Sequence, residues 1–310
     1  MIHKESIESM KPFLKWAGGK NQLLPYIEAY YPFEDKNIKK YAEPFIGGGA
    51  VLFDILSKYD LESVYISDIN KSLINTYKCI QQNVGDVISW LEAYQEKFWP
   101  MEQEGRKELF YKNRDRYNEL LSLNFLENIN TAPLTDKHIE LASLFIFLNR
   151  TCFNGLYRVN RNGFYNVPMG AYKKPLICDA ENLAAVAKAL AKVHIVCDTY
   201  KAVDDFADKQ TFVYIDPPYR PLSETANFTS YSEYEFNDDS QRELGKFAHY
   251  LAGKGVRVLL SNSDPKNTNP EDEFFDEIYK GFKIERIFAN RAINSKGSKR
   301  GKITELLISN

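Results

Sequence analysis

The sequence predicts an α/β protein whose sheet is mostly parallel, with helices on both faces and a helical insertion in the chain. Short apolar, β-branched runs recur along the sequence, and helical patterns lie between several of them. Alternation of this kind favours parallel strands that are joined by helical crossovers. The middle of the chain, roughly 84–150, instead has helical period and little strand signal. A helical insertion that splits an α/β domain is the simplest interpretation.

The individual elements follow from local patterns. The predicted strands are KYAEPF (40–45), SVYISD (63–68), VHIVC (193–197), FVYID (212–216), VRVLLSN (256–262), KIERIFA (283–289) and TELLIS (304–309). Helices are predicted over 50–59, 70–83, 180–191 and 240–253, and in the middle over VISWLEAYQEKF, EGRKELFYKNRDRYNELLSL and DKHIELASLFIFLNR.

The composition is typical of a soluble globular protein. A chain of 310 residues is long enough for one large domain, or for a core domain with a sizeable insertion. The polar N-terminus lacks the apolar stretch of a secretory signal, and no apolar run approaches the length of a membrane span. The four cysteines are scattered, without a CxxC pair or a plausible zinc spacing. We therefore expect a cytoplasmic protein with reduced thiols and no membrane partner.

The charges are unevenly distributed although the formal net charge is only −2. The segment 141–178 contains no acidic residue and five basic ones: Arg150, Arg158, Arg161, Lys173 and Lys174. The segment 286–304 likewise contains no acid and six basic residues: Arg286, Arg291, Lys296, Lys299, Arg300 and Lys302. Such segments suggest a localised face for a polyanion. On charge alone, an ordinary solvated surface remains equally open.

A glycine turn and an acidic residue follow the first two predicted strands. In open α/β sheets, ligands bind beyond the carboxyl ends of the strands. Gly47, Gly48 and Gly49 allow close backbone approach, but Leu52 stands where the dinucleotide fingerprint requires its third glycine. Asp68 lies 19 residues after Gly49, at the distance of an acid that accepts from ribose hydroxyls. Each feature alone is more typical of a tight turn or a helix cap, but their order and spacing together favour a bound nucleoside without a phosphate cradle.

The strand FVYID runs into the tetrapeptide Asp216, Pro217, Pro218 and Tyr219. Consecutive prolines cannot donate backbone hydrogen bonds, so they end the ladder while their carbonyls remain free to accept. A carboxylate, a carbonyl and an aromatic ring can together hold a planar group that bears an NH2. The alternative is an ordinary turn with a packed tyrosine. Near the N-terminus, LKWAGGKN offers Trp16 for stacking and Lys20 as a cation, and its glycine spacing is not that of a P-loop.

These segments resemble, in the family's order, the α group of S-adenosylmethionine-dependent DNA adenine-N6 methyltransferases, of the Dam and DpnII-methylase type (D12 class). The matching segments are FLKWAGGK (13–20), EPFIGGGAV (43–51), SDIN (67–70), NRTCFNGLYRVNRNGFYNVPMGAYKKP (149–175), DPPYRPLSETANFTSYS (216–232) and ITELL (303–307). The resemblance implies a Rossmann-like methyltransferase core with a helical target-recognition insertion that carries a β-hairpin. Its expected boundaries are 1–75 and 179–310 for the catalytic, cofactor-binding domain and 76–178 for the DNA target-recognition domain.

The resemblance also assigns roles to residues of the catalytic domain. The residues that it places around S-adenosyl-L-methionine are Trp16, Lys20, Phe45, Gly47, Gly49, Asp68 and Asp216, with Asp68 on the ribose. The target adenine must leave the duplex to be reached, and Tyr219 is expected to stack on it. Asp216 and the Pro217 carbonyl are expected to accept both amine hydrogens, so that the nitrogen attacks the sulfonium methyl. The substrate supplies the nucleophile, and no metal is required.

Specificity is expected to lie in the acid-free segment 149–175. By resemblance, Phe153 wedges beside the flipped base, where Dam itself has Tyr, and Asn154 approaches the orphaned thymine. The expected base-reading residues are Lys15, Leu156, Arg158 and Pro168, and together they indicate GATC in double-stranded DNA. The segment NSKGSKRGK (294–302) is expected to contact phosphates or to form a mobile loop. One departure from the family is Gly48, where Ser or Ala is common.

Two other functions remain open at this point. The first is an S-adenosylmethionine-dependent amino-methyltransferase for cytosine, RNA or protein glutamine, against which Asp216 and the hairpin argue. The second is a DNA-binding protein that keeps the fold without catalysis, against which the intact Asp68, Asp216 and Tyr219 argue. The sequence also leaves open whether the protein works beside a cognate restriction endonuclease or alone.

Overall fold

The computed structural model describes residues 10–16, 18–220, 236–290 and 302–310. Its helices are α1 (Leu24–Glu28), α2 (Ala50–Lys58), α3 (Lys71–Phe98), α4 (Gln103–Ser122), α5 (Asp136–Thr151), α6 (Ala180–Leu190), α7 (Asp238–Gly253) and α8 (Phe274–Ile278). Its strands are β1 (Lys40–Glu43), β2 (Ser63–Asp68), β3 (Val193–Cys197), β4 (Thr211–Ile215), β5 (Arg257–Ser263), β6 (Lys283–Asn290) and β7 (Lys302–Ser309).

The strands of the described residues form one seven-stranded sheet in the order β3-β2-β1-β4-β5-β7-β6. The strands from β3 to β5 are parallel, whereas β7 runs antiparallel to both β5 and β6. Because β1 and β4 are central and parallel, the segments that follow them leave the sheet at the same edge. The predicted α/β class with a mostly parallel sheet is confirmed.

Two apolar cores cover the two faces of the sheet. Alternation along β4 directs Phe212 and Tyr214 into one core and Val213 and Ile215 into the other. The first core contains side chains of α2, α3, α5 and α6, and the second contains side chains of α7 and α8. Burial of strand residues on both faces is what the continuous apolar runs of the sequence predict.

The middle of the chain is helical, as predicted, and packs on the first core. α3 and α5 pack against each other, and α4 packs on α5. α3 passes without interruption through the predicted boundary at 75/76, and its non-helical residue is Asn83, with φ −136° and ψ 35°. The division into 1–75 with 179–310 and 76–178 stays a prediction.

A hairpin follows α5. It is held by two isolated antiparallel bridges, Cys152 with Met169 and Val159 with Tyr165, rather than by continuous strands. Near its tip the Asn160 N–H donates to the Phe164 carbonyl at 2.8 Å.

All seven predicted strands have a counterpart in the structure, whereas α1 and α8 were not predicted. Each of these two helices has five residues, which is too short for a period of 3.6 residues to become visible. The four cysteines are free. Within the described ranges, no helix is long and apolar enough to cross a membrane.

Candidate active site and nucleic-acid interface

The candidate site lies where the parallel strands end. β4 ends at Ile215, so Asp216 is the first residue beyond its carboxyl end. Beside it, β1 leads into the glycine turn, β2 ends at Asp68, and β5 carries Ser261 near its end. Strand order and direction therefore bring together residues that lie far apart in the sequence.

Two side chains hold the Asp216 carboxylate. Lys20 Nζ lies 2.8 Å from Asp216 Oδ2, and the Lys20 side chain is only 5% exposed. The Ser261 hydroxyl donates to Asp216 Oδ1 at 3.0 Å. Burial raises the pKa of Asp216, while the Lys20 ammonium and the Ser261 hydroxyl act in the opposite direction. The site thus offers an oriented acceptor whose ionised form is stabilised by these two partners.

The remainder of the tetrapeptide is also braced. The Gln241 amide donates to the Pro218 carbonyl at 2.9 Å, which engages that carbonyl within the protein. The Tyr219 hydroxyl donates to Glu305 Oε2 at 2.8 Å, which fixes the direction of its ring. Lys20 Nζ lies 4.7 Å from the centroid of the same ring.

The glycine turn and Asp68 form a second group. The Gly47 and Asn70 N–H groups donate to the two carboxylate oxygens of Asp68, at 3.3 and 3.0 Å. Burial raises the pKa of Asp68 to about 6, and these backbone donors lower it. Gly49 has φ 73° and is the N-cap of α2.

An aromatic surface borders this group. Phe45 stacks on Tyr200, with centroids 5.4 Å apart, and meets Phe236 edge-on at 5.9 Å. The Tyr200 hydroxyl is buried and has no hydrogen-bond partner among the residues that the structure describes. A carboxylate at the end of β2, aromatic rings and an unpaired hydroxyl are groups that can bind a purine nucleoside. The residues present therefore fit S-adenosylmethionine, and Tyr200 is a neighbour that the sequence did not indicate.

Trp16 lies against the glycine turn. A methyl group added at Gly47 would be 2.8 Å from Trp16 Cδ1, which shows how closely the ring covers that backbone. Trp16 also stacks on the hairpin residue Tyr157, at 5.7 Å with an interplanar angle of 17°. Trp16 therefore contacts both the predicted cofactor loop and the predicted recognition hairpin.

A buried carboxyl group lies beneath the site and was not predicted as part of it. Glu43 is 3% exposed, and the Tyr41 hydroxyl donates to it at 2.7 Å. Burial, with a contribution from Asp216, raises the pKa of Glu43 to about 8. The only sequence signal was its position directly before the PFIGGG turn.

The predicted DNA-binding residues lie on and around the 3-10 turn Phe153–Gly155. Phe153 is 52% exposed, and its N–H donates to the carbonyl of Pro168, which is also exposed. Asn154 is exposed and has φ 55°. Leu156 is half-buried, with its carbonyl accepting from the Tyr165 hydroxyl at 3.2 Å. The structure brings Phe153, Asn154 and Pro168 together in exposed positions at the base of the hairpin.

The basic residues differ in their surroundings. Arg158 is exposed, and its Nε donates to Asn166 at 2.8 Å. Lys15 is exposed and its Nζ lies 4.1 Å from the Tyr172 ring centroid. In the second basic segment, Arg286 pairs with Asp264 and Asp276. Residues 291–301, with most of the NSKGSKRGK segment (294–302), lie outside the described residues.

The sheet order and the carboxylate–proline–proline–tyrosine loop beyond β4 define the class of protein: an amino-methyltransferase with a Rossmann-like fold. The sequence model described as "D12 class N6 adenine-specific DNA methyltransferase" matches residues 16–293. The chain belongs to this family, so the expected family and the transferase activity on DNA adenine are confirmed. Methyltransferases of this kind use S-adenosylmethionine as the methyl donor.

Relatives match over nearly their whole length. The chain is 47% identical to the "Type II methyltransferase M.MjaIII" of Methanocaldococcus jannaschii, over 97% of this chain and 99% of that protein. It is 36% identical to the "Type II methyltransferase M1.LlaDCHI" of Lactococcus lactis subsp. cremoris, over 100% and 98%. It is 33% identical to the "DNA adenine methylase" of Escherichia coli, over 96% and 94%.

Proposed function

We propose that the protein flips adenine out of double-stranded DNA, within the sequence GATC, and methylates its exocyclic amine. The observation that carries this proposal is the Asp216 carboxylate, which is held between Lys20 and Ser261 at the carboxyl end of β4. A carboxylate that is held in this way by its own protein cannot reach a base inside a duplex, so the reaction requires extrusion of the nucleotide.

The tetrapeptide performs the positioning. Asp216 and the Pro217 carbonyl accept the two amine hydrogens, while Tyr219 stacks on the ring. Hydrogen bonds from both amine hydrogens to these acceptors reduce the conjugation of the nitrogen with the ring and localise its lone pair. The Gln241 and Glu305 contacts keep the loop and the Tyr219 ring in one orientation before the base arrives. Rate enhancement then comes from orientation and fixed electrostatics.

The cofactor residues hold the second reactant. Asp68 accepts from the ribose hydroxyls, Phe45 packs on the adenine ring, and the turn with Gly47 and Gly49 permits close approach. Trp16 and Lys20 complete the site, with the Lys20 ammonium beside Asp216. S-adenosylmethionine would supply an electrophilic sulfonium methyl and leave as a neutral thioether when its carbon–sulfur bond breaks. The substrate amine supplies the electron pair for the new N–C bond and loses one proton to solvent.

Recognition of GATC falls to the hairpin and to Lys15. Phe153 enters beside the extruded base and Asn154 faces the unpaired thymine. The residues that contact the base edges are Lys15, Leu156, Arg158 and Pro168. Exposure of Phe153, Asn154, Arg158 and Pro168 supports this assignment, because side chains that read bases must be free to enter the groove.

Transfer of labelled methyl groups to short duplexes tests the reaction. Wild type should label the adenine of a central GATC and not a duplex with these bases scrambled. Asp216→Asn should abolish transfer and keep cofactor binding measurable, because Asn offers one acceptor oxygen and no charge. Glu62→Gln is the matched control, since Glu62 lies at the amino end of β2 and pairs with Lys39. Equal labelling of both duplexes would refute the GATC assignment and leave the chemistry intact.

Fluorescence of 2-aminopurine in place of the target adenine tests extrusion. Its emission rises when the base leaves the stack, so wild type with cofactor should increase it. Phe153→Ala should reduce that increase, because the exposed ring is the proposed wedge. An unchanged signal in wild type would contradict base flipping.

We also propose that methylation by this chain protects DNA from a cognate restriction endonuclease. The names of two relatives, both called Type II methyltransferase, support this role. DNA that the protein has methylated should resist an endonuclease that cleaves unmethylated GATC. Complete cleavage after full methylation would contradict the protective role.

A further inference from the structure

Asn149, near the end of α5, uses its whole side-chain amide to join two distant segments. Its Oδ1 accepts from the Lys15 N–H at 2.8 Å. Its Nδ2 donates to the Lys15 carbonyl at 2.8 Å and to the Gly155 carbonyl at 2.9 Å. The side chain is nearly inaccessible, since Asn149 is only 3% exposed. Its amide is therefore fully engaged by backbone groups of the protein.

The two joined segments also pack closely. Gly155 has φ 63°, and a methyl group added there would lie 2.5 Å from Lys15 Cβ. Gly155 closes the turn that presents Phe153 and Asn154, whereas Lys15 arrives from the N-terminal segment, 134 residues before Asn149. Lys15 and the turn are the two places where the proposed function puts contacts to bases. One buried amide is hydrogen-bonded to both of them.

The contacts around Lys15 extend to the predicted cofactor loop. Trp16 follows Lys15 directly, lies on the Gly47 backbone and stacks on Tyr157 of the hairpin. A displacement of Lys15 therefore shifts the residue that covers the predicted cofactor loop.

We propose that Asn149 is a positioning residue for base recognition, which fixes Lys15 at a set distance from the turn Phe153–Gly155. The inference rests on the proposed function, because it takes these two segments as the readers of the DNA sequence. Asn149 itself touches no base. We expect removal of the Asn149 amide to weaken base recognition before it affects the methyl transfer.

Asn149→Asp is the sharpest change. It keeps size and shape, but a carboxylate cannot donate to the carbonyls of Lys15 and Gly155, and it places negative charge against both. Asn149→Ser is the second variant, which removes the amide without adding charge. Asn182→Asp is a matched control: Asn182 makes the same two-point contact with the backbone of Lys11, at 2.9 and 3.0 Å, in the same N-terminal segment but away from the turn.

The readout is the ratio of kcat/KM on GATC to kcat/KM on duplexes with one base of the site changed. A purely structural role would lower the active fraction on all duplexes equally and leave this ratio unchanged. We expect both Asn149 variants to lower the ratio about tenfold for a duplex changed at the guanine of GATC, which is the base that Lys15 is proposed to read; this is the size of one weakened base contact. Asn182→Asp should keep the wild-type ratio. In a Lys15→Ala background, Asn149→Asp should lower that ratio little further, because its effect passes through Lys15.

The outcomes separate the two proposals. If wild type does not discriminate between GATC and the changed sites, the proposed function fails. If wild type discriminates and both Asn149 variants retain the full ratio, the inference about Asn149 is overturned. It is equally overturned if both variants lose cofactor binding and thermal stability together, since Asn149 would then support the fold itself.

Discussion

At the scale of single residues, Asp216 combines burial with two fixed partners. Burial favours its neutral form, whereas Lys20 and Ser261 favour the carboxylate. The carboxylate is a stronger hydrogen-bond acceptor for the amine than the neutral carboxyl group, and only the carboxylate carries a negative charge that offsets the positive charge developing on the nitrogen. Activity should therefore be lost as pH falls through the pKa of Asp216.

Ser261→Ala should move this acid limb. The hydroxyl that donates to Asp216 Oδ1 lowers the pKa of Asp216, so its removal raises that pKa and shifts the limb to higher pH. We also expect kcat at pH 7 to fall roughly tenfold, the effect of one lost hydrogen bond to a charged group. The measurement is the pH profile of kcat at saturating cofactor and DNA.

Ser89→Ala is the control for this experiment. Ser89 is an exposed residue of α3 whose hydroxyl donates to the Gly85 carbonyl, far from the tetrapeptide in the sequence. Its profile should coincide with that of wild type. An acid limb of Ser261→Ala at the wild-type position would show that the hydroxyl does not control the ionisation of Asp216.

The sequence identified Asp216 and Tyr219 because they stand together in one tetrapeptide at the end of a strand. It did not identify Ser261, Gln241 or Glu305, which hold that tetrapeptide from β5, α7 and β7. These contacts depend on the order of strands in the sheet and on the reversal of β7. Local periodicity does not determine strand order, so no short segment of the sequence could have predicted these contacts.

At the scale of elements, the junction between β1 and α2 depends on Gly49. Its φ is 73°, and a methyl group there would lie 2.6 Å from the Tyr77 hydroxyl and 3.0 Å from Phe53 Cε2. Gly49→Ala should lower the free energy of unfolding by about 2 kcal/mol or more, through backbone strain and overlap. Thermal unfolding monitored by circular dichroism measures this loss, and cofactor affinity should fall with it.

Gly85→Ala provides the opposite expectation. Gly85 lies within α3, and a methyl group added there meets nothing within 4 Å. Alanine in a helix interior should raise the free energy of unfolding by about 0.5–1 kcal/mol. If Gly49→Ala were as stable as Gly85→Ala, the conformation of the glycine turn would not limit the fold.

Predictability of the elements varied with their length and surroundings. β2 and β3 have the predicted bounds; each carries β-branched residues, although β3 is only partly buried. The hairpin after α5 was predicted only through the family resemblance. Its two isolated bridges depend on long-range contacts, such as the donation from the Asn118 amide to the Tyr165 carbonyl at 3.1 Å.

At the scale of the whole molecule, the helical middle shares one core with the sheet. Leu73 and Leu91, both on α3, belong to the same cluster as Phe212 of β4. In a Trp16→Phe background, the two remaining tryptophans, Trp90 and Trp99, report on the helical part, whereas far-UV circular dichroism reports on the whole chain. We expect the two probes to give coincident transitions in urea. Loss of the tryptophan signal at a lower urea concentration would instead show that residues 76–178 unfold as a separate unit.

We expect DNA to bind this slightly acidic molecule through a limited part of its surface. With a net charge of −2, long-range attraction to phosphates is weak, so we expect the acid-free segments, 141–178 among them, to supply the affinity. Arg161 and Lys173 are exposed there, close in sequence to the predicted base-reading residues. Arg161→Ala should reduce the slope of log K against log salt by about 0.9, the contribution of one neutralised phosphate.

Lys192→Ala is the matched test of this localisation. Lys192 is exposed and precedes β3, at the edge of the sheet opposite the candidate site. Titrations of a GATC duplex between about 50 and 200 mM salt should give it the wild-type slope. If both variants lowered the slope equally, phosphate contacts would be spread over the surface. If both variants instead kept the wild-type slope, other basic residues would make the phosphate contacts and Arg161 would not belong to the interface.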